Sequence, residues 1–539
     1  MRRLPTVALL LGLLCLATPA DPIGAQGSAA KTATGTSKTA AKQTTASTKK
    51  RSTKSTSAKT RSAKGSSRAK AAPRPKLVAA VLTGASALES HLRTLVANAT
   101  KSGRWGVMVV SLTNGDTLYD HNGDELLLPA STMKLYTAAI ALERLGPNHR
   151  LRTQVLRTGS VRSGGVLAGD LILKGAGDPS LAPRVAGGVP GLHPLDALAA
   201  QVAAAGIREI RGDLVGDASA FDGQRVPDGW RARHLQTSYG TRVSALSYNE
   251  NLTTITVRPS TRGAQVTFGQ PVSGLALRSA VTVRPNSRSA SIRVWQDTLT
   301  NEYRVSGWIG ARSAARTYQV VVEQPEQFVA AAFRAALEAQ GVRVTGATRV
   351  GRAPAAAQFV TAWDSPPVAT LVATMNGESN NHFAELLFRN TARSSGAVGS
   401  AVIANESLRT FLAERVGIPR RAVFAADGSG LSTLDRVTPR SMIQLLDYSV
   451  SAPWAPVLQA SLPIAGRTET LKNRMRGTAA QGNLRAKTGT TGEVVSLGGY
   501  VTAKNGEELA FSFIYNGTDR WRARTAIDAM GVTLASFSR

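Results

Sequence analysis

The sequence predicts an α+β fold in which an antiparallel sheet with flanking helices is built from both ends of the folded chain. Near one end, residues 105–119 form a predicted hairpin, because an Asn-Gly turn joins two short apolar segments. Near the other end, residues 494–515 form a second predicted strand pair, joined at Asn505-Gly506. The middle, roughly 153–371, contains short β-rich segments separated by Gly and Pro. If both ends share one sheet, this middle is an insertion and the domain is discontinuous.

The first 76 residues are predicted to lie outside the fold. Arg2 and Arg3 precede an apolar run at 7–17 and then small residues, so 1–25 resembles a signal peptide too short to span a membrane. An uncleaved N-terminal anchor is the alternative. Residues 26–76 form a basic Lys/Ser/Thr/Ala tail that is predicted to be disordered, because it has almost nothing to bury. We therefore expect export, to a periplasm or to an extracellular cell-wall space.

Charge is concentrated in this N-terminal part of the chain. Sixteen basic residues and one acidic residue give residues 1–76 a charge of +15, half of the +30 carried by all 539 residues. The tail is either a soluble spacer or an electrostatic anchor to anionic wall polymers or a membrane surface. No nucleic-acid partner is expected, because export separates the chain from the genome and the tail lacks aromatic residues. The lone Cys15 lies in the signal pattern, so the mature chain would have no disulfide.

The remaining helices and strands are predicted from hydrophobic periodicity and from the positions of Gly and Pro. Helices are predicted beside the sheet at 77–96, 128–145, 375–390 and 521–537. Within the insertion, strands are predicted at 169–173, 252–258, 290–295 and 317–322, with helices at 194–205 and 325–340. The six histidines are scattered without metal-ligand spacing, and no phosphate-binding or dinucleotide-binding glycine pattern occurs. No cofactor or metal is therefore expected.

Ser131 and Lys134 place a hydroxyl and an amine three residues apart in the predicted helix 128–145. Three residues are close to one helical turn, so the two side chains share a face. A neutral lysine there could take the serine proton and create a nucleophile without a histidine. The spacing alone is weak evidence, because the tail repeats it by chance at Ser28, Ser47 and Ser67.

Two further motifs follow in chain order. Ser379-Asn380-Asn381 lies in the predicted helix 375–390, and Lys487-Thr488-Gly489-Thr490 directly precedes the C-terminal strand pair. The ordered set S-x-x-K, S-x-N and K-T-G is the signature of the serine penicillin-recognising enzymes, which are penicillin-binding proteins and β-lactamases. The chain therefore resembles this superfamily, and the penicillin-binding transpeptidase/β-lactamase-like fold is expected.

Four more segments resemble one branch of the superfamily. They are Gly169-Asp170-Leu171, the residues Gly-Asp-Pro-Ser-Leu at 177–181, Ser-Ala-Leu-Ser-Tyr-Asn-Glu-Asn at 244–251, and Asp-Gly-Ser-Gly-Leu-Ser at 427–432. The branch is the class C low-molecular-mass penicillin-binding proteins, the D-alanyl-D-alanine carboxypeptidases/endopeptidases of peptidase family S13, and the resemblance extends from about residue 77 to the C-terminus. Its two-part insertion implies a catalytic domain at 77–152 and 372–539, an inserted domain at 153–180 and 275–371, and a nested inserted domain at 181–274.

The resemblance implies a role for each motif residue. Ser131 would be the nucleophile and Lys134 the general base, with a pKa lowered by burial and by Lys487. Ser379 would relay a proton to the leaving amine, and Asn381 would orient Lys134 and the substrate amide. Lys487, with Thr488, Gly489 and Thr490, would bind the terminal carboxylate of the substrate. The backbone N–H groups of Ser131 and Thr490 would form the oxyanion hole.

The implied substrates are peptidoglycan stem peptides ending in D-Ala-D-Ala, and the implied inhibitors are β-lactams. The first alternative is a β-lactamase, disfavoured because no segment resembles the water-activating Glu-x-x-Leu-Asn element of class A enzymes. The second is a non-catalytic wall-binding protein, disfavoured because all three motifs are intact. The sequence does not predict the oligomeric state.

Overall fold

The structure, a computed structural model, describes residues 82–183, 193–269, 275–297 and 302–539. The predicted signal peptide at 1–25 and the basic tail at 26–76 lie outside the described residues. Among the helices of the described part, none has the length and apolar character needed to cross a membrane.

The helices predicted at 194–205, 325–340 and 521–537 lie within one residue of described helices, whereas three described helices between residues 401 and 461 were not predicted. The described helices are α1 (Ala85–Ala99), α2 (Met133–Leu145), α3 (Pro194–Ala204), α4 (Pro325–Ala339), α5 (Val368–Gly377), α6 (Asn381–Arg393), α7 (Ala401–Phe411), α8 (Pro439–Ser451), α9 (Ala455–Ser461) and α10 (Arg520–Ser536). Of the helix predicted at 77–96, residues 77–81 lie outside the described residues, and the described helix begins only at Ala85. The reason is that Gly84 has a φ of 89° and Thr83 forms a β-bridge with Ser538.

The strands of the described residues fall into six sheets. In chain order they are β1 (Arg104–Ser111), β2 (Thr117–His121), β3 (Arg152–Arg157), β4 (Val161–Arg162), β5 (Val166–Leu167), β6 (Leu171–Lys174), β7 (Glu209–Ile210), β8 (Leu214–Asp217), β9 (Leu252–Ser260), β10 (Gly263–Phe268), β11 (Ala276–Arg284), β12 (Ala290–Asp297), β13 (Glu302–Gly310), β14 (Arg316–Val321), β15 (Arg343–Val344), β16 (Thr348–Val350), β17 (Gln358–Asp364), β18 (Val423–Phe424), β19 (Arg436–Val437), β20 (Arg485–Thr490), β21 (Val494–Thr502) and β22 (Glu508–Asn516).

The two ends of the folded chain share one five-stranded antiparallel sheet with the order β2-β1-β22-β21-β20. Strand β1 pairs with β22 so that Trp105 lies opposite Tyr515, which joins residues about 400 positions apart. The predicted sheet built from both ends is therefore confirmed.

Helices cover both faces of this sheet, and its central strands are buried on both sides. On β22, Phe513 packs into a core shared with α1 and α10, whereas its neighbour Ile514 packs into a core shared with α2 and α5–α9. Successive strand residues point to opposite faces, so a two-sided core requires an unbroken apolar run. The run from Leu509 to Tyr515 meets that requirement, apart from Ser512.

The insertion contains two groups of strands. One group has the sheets β16-β8-β6-β3-β17 and β15-β7-β5-β4, and it packs on α3 and α4. The other group has the small sheets β10-β9-β14 and β11-β13-β12, which enclose a separate core around Ile255 and Tyr303.

This pairing divides the insertion differently from the predicted boundaries. Strands β7 and β8 fall in the predicted nested domain at 181–274, yet they pair in parallel with β5 and β6 of the outer part. Strands β11–β14, predicted in the outer part, form the small second core with β9 and β10. Parallel pairing needs a crossover, which α3 supplies here, and no local sequence pattern indicates which strands a crossover joins. The pairing favours a nested unit at about 252–321.

Candidate active site

Ser131 lies at the point where a short 3-10 turn, Ala130–Thr132, runs into α2. Ala130 has a φ of 48°, a left-handed conformation that costs a non-glycine residue about 1–2 kcal/mol. The turn is held at its start, since the Pro129 carbonyl accepts hydrogen bonds from the hydroxyls of Thr132 (2.7 Å) and Ser496 (2.6 Å). Ser496 lies on β21, so the sheet fixes the position of the serine.

Lys134 is the side chain that contacts the Ser131 hydroxyl. Its Nζ lies 3.1 Å from Ser131 Oγ, and it also donates to Asn381 Oδ1 and to the backbone carbonyl of Ser429, both at 2.7 Å. The lysine is completely buried. These three acceptors match the three donors of an ammonium group and fix the direction of the amine.

Burial lowers the pKa of Lys134 to about 8, because a charged amine loses its hydration there. The carboxylates of Asp427, Glu385 and Asp435 oppose the effect and raise the pKa. The predicted lowering is therefore present, with burial as its main cause. Repulsion between the two lysines acts on Lys487, whose pKa lies well below its usual value because of burial and the nearby Lys134.

Ser379 does not lie within a helix, and the prediction of one continuous helix at 375–390 is wrong. Helix α5 ends at Gly377 and α6 begins at Asn381, with Ser379 between them at a φ of 59°. The break is stabilised by Asn380, which caps α6 by accepting a hydrogen bond from Phe383 N at 3.2 Å. The left-handed residue turns the serine toward the cleft instead of along a helix face.

Asn381, the first residue of α6, bridges two parts of the site. Its Oδ1 accepts from Lys134, and its Nδ2 donates to the backbone carbonyl of Tyr239 at 2.9 Å. Tyr239 belongs to the insertion, so the inserted part of the chain supports the asparagine directly. Sequence reasoning missed this contact, because a backbone carbonyl carries no sequence signal.

Lys487 lies on the edge strand β20 and faces Ser379. Its Nζ donates to Ser379 Oγ at 2.9 Å and to the carbonyl of Thr488 at 2.7 Å. The hydroxyls of Thr488 and Thr490 are bonded to Thr470 Oγ1 (3.1 Å) and to the Gly489 carbonyl (2.7 Å) respectively. Strand β20 thus places the K-T-G motif along one wall of the cleft.

Gly489 is required by the close approach of β20 to the nucleophile turn. A Cβ atom at this position would lie 2.1 Å from Ser496 Oγ, 2.9 Å from the Pro129 carbonyl and 3.1 Å from Ser131 N. Such contacts are far shorter than ordinary van der Waals distances, so any side chain would push the strand away. The glycine lets the strand backbone lie directly beside the serine.

Asp427 organises the loop that holds Lys134 from the opposite side. Its Oδ1 accepts from the backbone N–H groups of Ser429 (3.0 Å) and Gly430 (2.6 Å), and its Oδ2 accepts from the indole N–H of Trp230 (2.7 Å). These bonds aim the Ser429 carbonyl at Lys134. In the sequence, residues 427–432 contributed only to the family resemblance, and the contact between Ser429 and the lysine was missed.

A buried ion pair lies behind this loop. Glu385 and Arg389 are completely buried, 3.1 Å apart, and Glu385 also accepts from Gly428 N at 3.1 Å. Burial and the charge of Asp427 raise the pKa of Glu385 to about 7, while Arg389 lowers it. Burial and Asp427 also raise the pKa of Asp435 well above its usual value. The motif residues thus pack against a network of buried polar groups, which stabilises their geometry.

The structure brings together every predicted site residue: Ser131, Lys134, Ser379, Asn381, Lys487, Thr488, Gly489 and Thr490. The arrangement offers a serine bonded to a buried amine, and a second serine bonded to a second buried amine. In the described part of the chain, no group of three or more His, Cys, Asp or Glu side chains could hold a metal ion. Nucleophilic attack by a lysine-activated serine is the chemistry that fits this arrangement.

Comparison with known proteins places this geometry in context. Residues 85–537 match the model of the D-Ala-D-Ala carboxypeptidase 3 (S13) family. A D-alanyl-D-alanine carboxypeptidase of an Actinomadura species is 34% identical over 449 residues, 80% of this chain and 81% of that protein. The D-alanyl-D-alanine carboxypeptidase DacB of Haemophilus influenzae is 26% identical over 420 residues, 76% of this chain and 85% of that protein.

Among solved structures, penicillin-binding protein 4 (dacB) from Haemophilus influenzae superimposes with a TM-score of 0.71 at 25% identity. The superposition covers 82% of this chain and 98% of that chain. The likeness confirms the predicted α+β fold with an interrupted antiparallel sheet.

Proposed function

The chain belongs to the D-Ala-D-Ala carboxypeptidase 3 (S13) family, and from this premise we propose that Ser131 and Lys134 carry out its reaction on peptidoglycan stem peptides. The chain is a serine-type D-alanyl-D-alanine carboxypeptidase. The observation that carries the assignment of residues is the 3.1 Å contact between Lys134 Nζ and Ser131 Oγ, made by a lysine without solvent exposure.

In the acylation step, Ser131 Oγ attacks the carbonyl carbon between the two D-alanines, and its proton passes to the neutral amine of Lys134. The C–N bond breaks, and Ser379 Oγ supplies the proton that the departing D-alanine amine needs. Lys487, 2.9 Å from Ser379, replaces that proton. Proton relays of this kind typically contribute roughly 10² to 10⁴ in rate.

In the deacylation step, water attacks the ester carbonyl and loses one proton to the solvent, and the shortened peptide leaves with a free carboxyl group. The ester oxygen takes back a proton and becomes the Ser131 hydroxyl. Lys134 is close enough to return that proton. The N–H groups of Ser131 and Thr490 stabilise the oxyanion in both steps, where loss of one donor typically costs about 3 kcal/mol.

The terminal carboxylate of the substrate binds at Lys487, with Thr488 and Thr490 beside it. Burial and Lys134 hold the pKa of Lys487 well below its usual value in the free enzyme. A bound carboxylate favours the protonated amine, so we expect substrate binding to be accompanied by proton uptake. The new positive charge on Lys487 then favours the neutral form of Lys134, which is the form that acts as the base.

The same site supports two related reactions. The D,D-endopeptidase reaction on cross-bridges breaks the same kind of bond, with a longer amine as the leaving group. A β-lactam presents a strained amide to Ser131, and we expect a long-lived acyl-enzyme as the product. The signal pattern at 1–25 supports export to a periplasm or cell-wall space, and the tail at 26–76 is a candidate anchor to anionic wall polymers or a membrane surface.

The assignment is tested by release of D-alanine from a soluble pentapeptide ending in D-Ala-D-Ala, measured by mass spectrometry of the products. Ser131→Ala should abolish release and also abolish labelling by a fluorescent penicillin. Ser67→Ala is the matched control, because Ser67 and Lys70 repeat the S-x-x-K spacing in the tail. Labelling that survives in Ser131→Ala, or is lost in Ser67→Ala, would show that another serine is the nucleophile.

A further inference from the structure

One face of the small sheet β11-β13-β12 combines arginine and tryptophan side chains. The strand register places Arg278, Arg304 and Trp295 in one row across the three strands, Arg293 in the next row of the same face, and Trp308 in the row after that. Because side chains alternate along a strand, residues two apart on the same strand share this face. The face, called the Arg–Trp face below, consists of Arg278, Arg284, Arg293, Trp295, Arg304 and Trp308.

The charge of this region is strongly positive. Residues 249–322 contain nine arginines, no lysine and three carboxylates, a net charge of +6. Two of the carboxylates lie at one end of the face, where Glu302 pairs with Arg278 (2.9 Å) and Arg304 (2.7 Å). Among the described residues, no carboxylate lies within ion-pair distance of Arg284 or Arg293. Half of the cations on the face are therefore available to an anionic partner.

The two tryptophans provide flat apolar surface between these cations. Trp295 is 37% exposed, which is unusual because contact between a large aromatic side chain and water is unfavourable. The Arg284 guanidinium lies over the Trp308 ring, 4.0 Å from its centroid, which holds both groups in place. Indole rings stack on the apolar faces of sugar rings, and guanidinium groups bind carboxylates in a bidentate manner. The combination fits a polymer of sugars that carries carboxylates.

A groove of about 620 Å³ continues from the face between the edge strands β12 and β14, and Arg293 and Trp295 contribute to its lining. Gln236 also lines the groove, and its amide nitrogen lies 3.4 Å from the Gln296 carbonyl. Gln236 is three residues from Tyr239, so their Cα atoms are at most about 11 Å apart. The Tyr239 carbonyl accepts a hydrogen bond from Asn381 in the active site, so one short segment of chain connects the lining of the groove with the catalytic cleft.

We propose that the Arg–Trp face and its groove form a binding site for a peptidoglycan strand, separate from the cleft that holds the scissile bond. Trp295 stacks on the sugar rings, and Arg284 and Arg293 bind carboxylates of the stem peptides. The site would hold the polymer while one of its stems reaches Ser131. This inference rests on the proposed function, because the polymer named is the substrate of that cleft.

The experiment compares two double variants of the full-length chain. Arg293→Ala/Trp295→Ala removes one cation and one ring from the face. Arg258→Ala/Trp521→Ala is the matched control, since it removes an exposed arginine of the other small sheet and a tryptophan that is 78% exposed on α10. Binding is measured by co-sedimentation with insoluble peptidoglycan stripped of attached phosphodiester polymers, and release of D-alanine is measured on a soluble pentapeptide.

The face variant should bind the stripped peptidoglycan about tenfold more weakly than the parent chain, and the loss should include the salt-dependent part of binding. Its release of D-alanine from the soluble peptide should stay within about twofold, because no catalytic contact is removed. The control variant should match the parent in both assays. The single variant Arg293→Lys keeps the positive charge and Trp295, so its binding should lie between that of the parent chain and that of the face variant. It provides the test if the face variant does not fold.

Three outcomes would overturn the proposal. In the first, the face variant co-sediments with peptidoglycan as well as the parent chain does. In the second, the control variant loses as much binding as the face variant, and this would indicate a general effect of charge. Binding could also require a phosphodiester polymer, added separately as soluble teichoic acid, which indicates a different partner. A chain that binds through the face but releases no D-alanine would overturn the proposed function and leave this inference standing.

Discussion

The pH dependence of acylation is the sharpest prediction of the assignment of Lys134 as the base. The reactive form is the neutral amine, and burial lowers the pKa of Lys134 to about 8. At pH 7 roughly a tenth of the amine is then neutral, compared with roughly 0.04% for a lysine of ordinary pKa, an increase of roughly 200-fold. Between pH 6 and pH 8 the neutral fraction rises from roughly 1% to roughly a half.

The assay is the second-order rate of Ser131 acylation by a fluorescent penicillin, measured in steps from pH 5.5 to pH 9.5. We expect the rate to rise about 50-fold between pH 6 and pH 8 and to level off above pH 9. A rate that is constant across this range, or that is still rising tenfold per unit at pH 9.5, would refute the role of burial in activating Lys134.

A charge variant separates Lys134 from other titrating groups. The Asp427 carboxylate raises the pKa of Lys134, so Asp427→Asn should move the midpoint of the profile to lower pH, even if it also lowers the maximal rate. Asp124→Asn is the matched control, because the side chain of Asp124 is 76% exposed and pairs with Arg440 at the surface. A midpoint that does not move in Asp427→Asn would mean that a group other than Lys134 controls the profile.

Two further predictions concern packing and stability. Gly489→Ala places a methyl group 2.1 Å from Ser496 Oγ, so strand β20 must shift, and the rate of acylation should fall about 100-fold. The control Gly223→Ala, whose methyl group would have no atom within 4 Å, should leave the rate of acylation unchanged. Glu385 has a pKa raised to about 7 by burial, so the folded state binds its proton more tightly than the unfolded state. Glu385 should therefore contribute about 3 kcal/mol of stability that is lost as pH rises from about 4.5 to above 7, measured as the difference in urea unfolding between the parent chain and Glu385→Gln. Glu385→Gln should remove this loss and exposed Glu406→Gln should keep it; equal pH dependence in both variants would contradict the assignment.

Much of the catalytic arrangement could be predicted from the sequence, because it depends on local spacing and on turn residues. A three-residue spacing on a helix brings Lys134 to Ser131, and the contact is 3.1 Å. Asn-Gly turns define the two hairpins whose strands meet in one sheet. The order of the three motifs indicated that residues 379–381 and 487–490 return to the same cleft, and the structure places them there.

The rest could not be predicted, because it depends on backbone groups and on distant pairing. The carbonyls of Ser429 and Tyr239 position the lysine and the asparagine, and any residue type supplies a carbonyl. The left-handed conformation of Ser379 interrupts an otherwise helical pattern, and serine gives no local sign of a positive φ. The parallel pair β6 and β8 is separated by 39 residues of chain, so local periodicity did not reveal which strands of the insertion belong together.

The central claim is that Ser131 is the residue acylated, with Lys134 as its base. The most direct test is peptide mapping by mass spectrometry after reaction of the full-length chain with penicillin. The account predicts one penicilloyl group, on Ser131, in the parent chain, and about 1000-fold slower appearance of that adduct in Lys134→Ala. An adduct on any other serine, or an undiminished rate of acylation in Lys134→Ala, would contradict it.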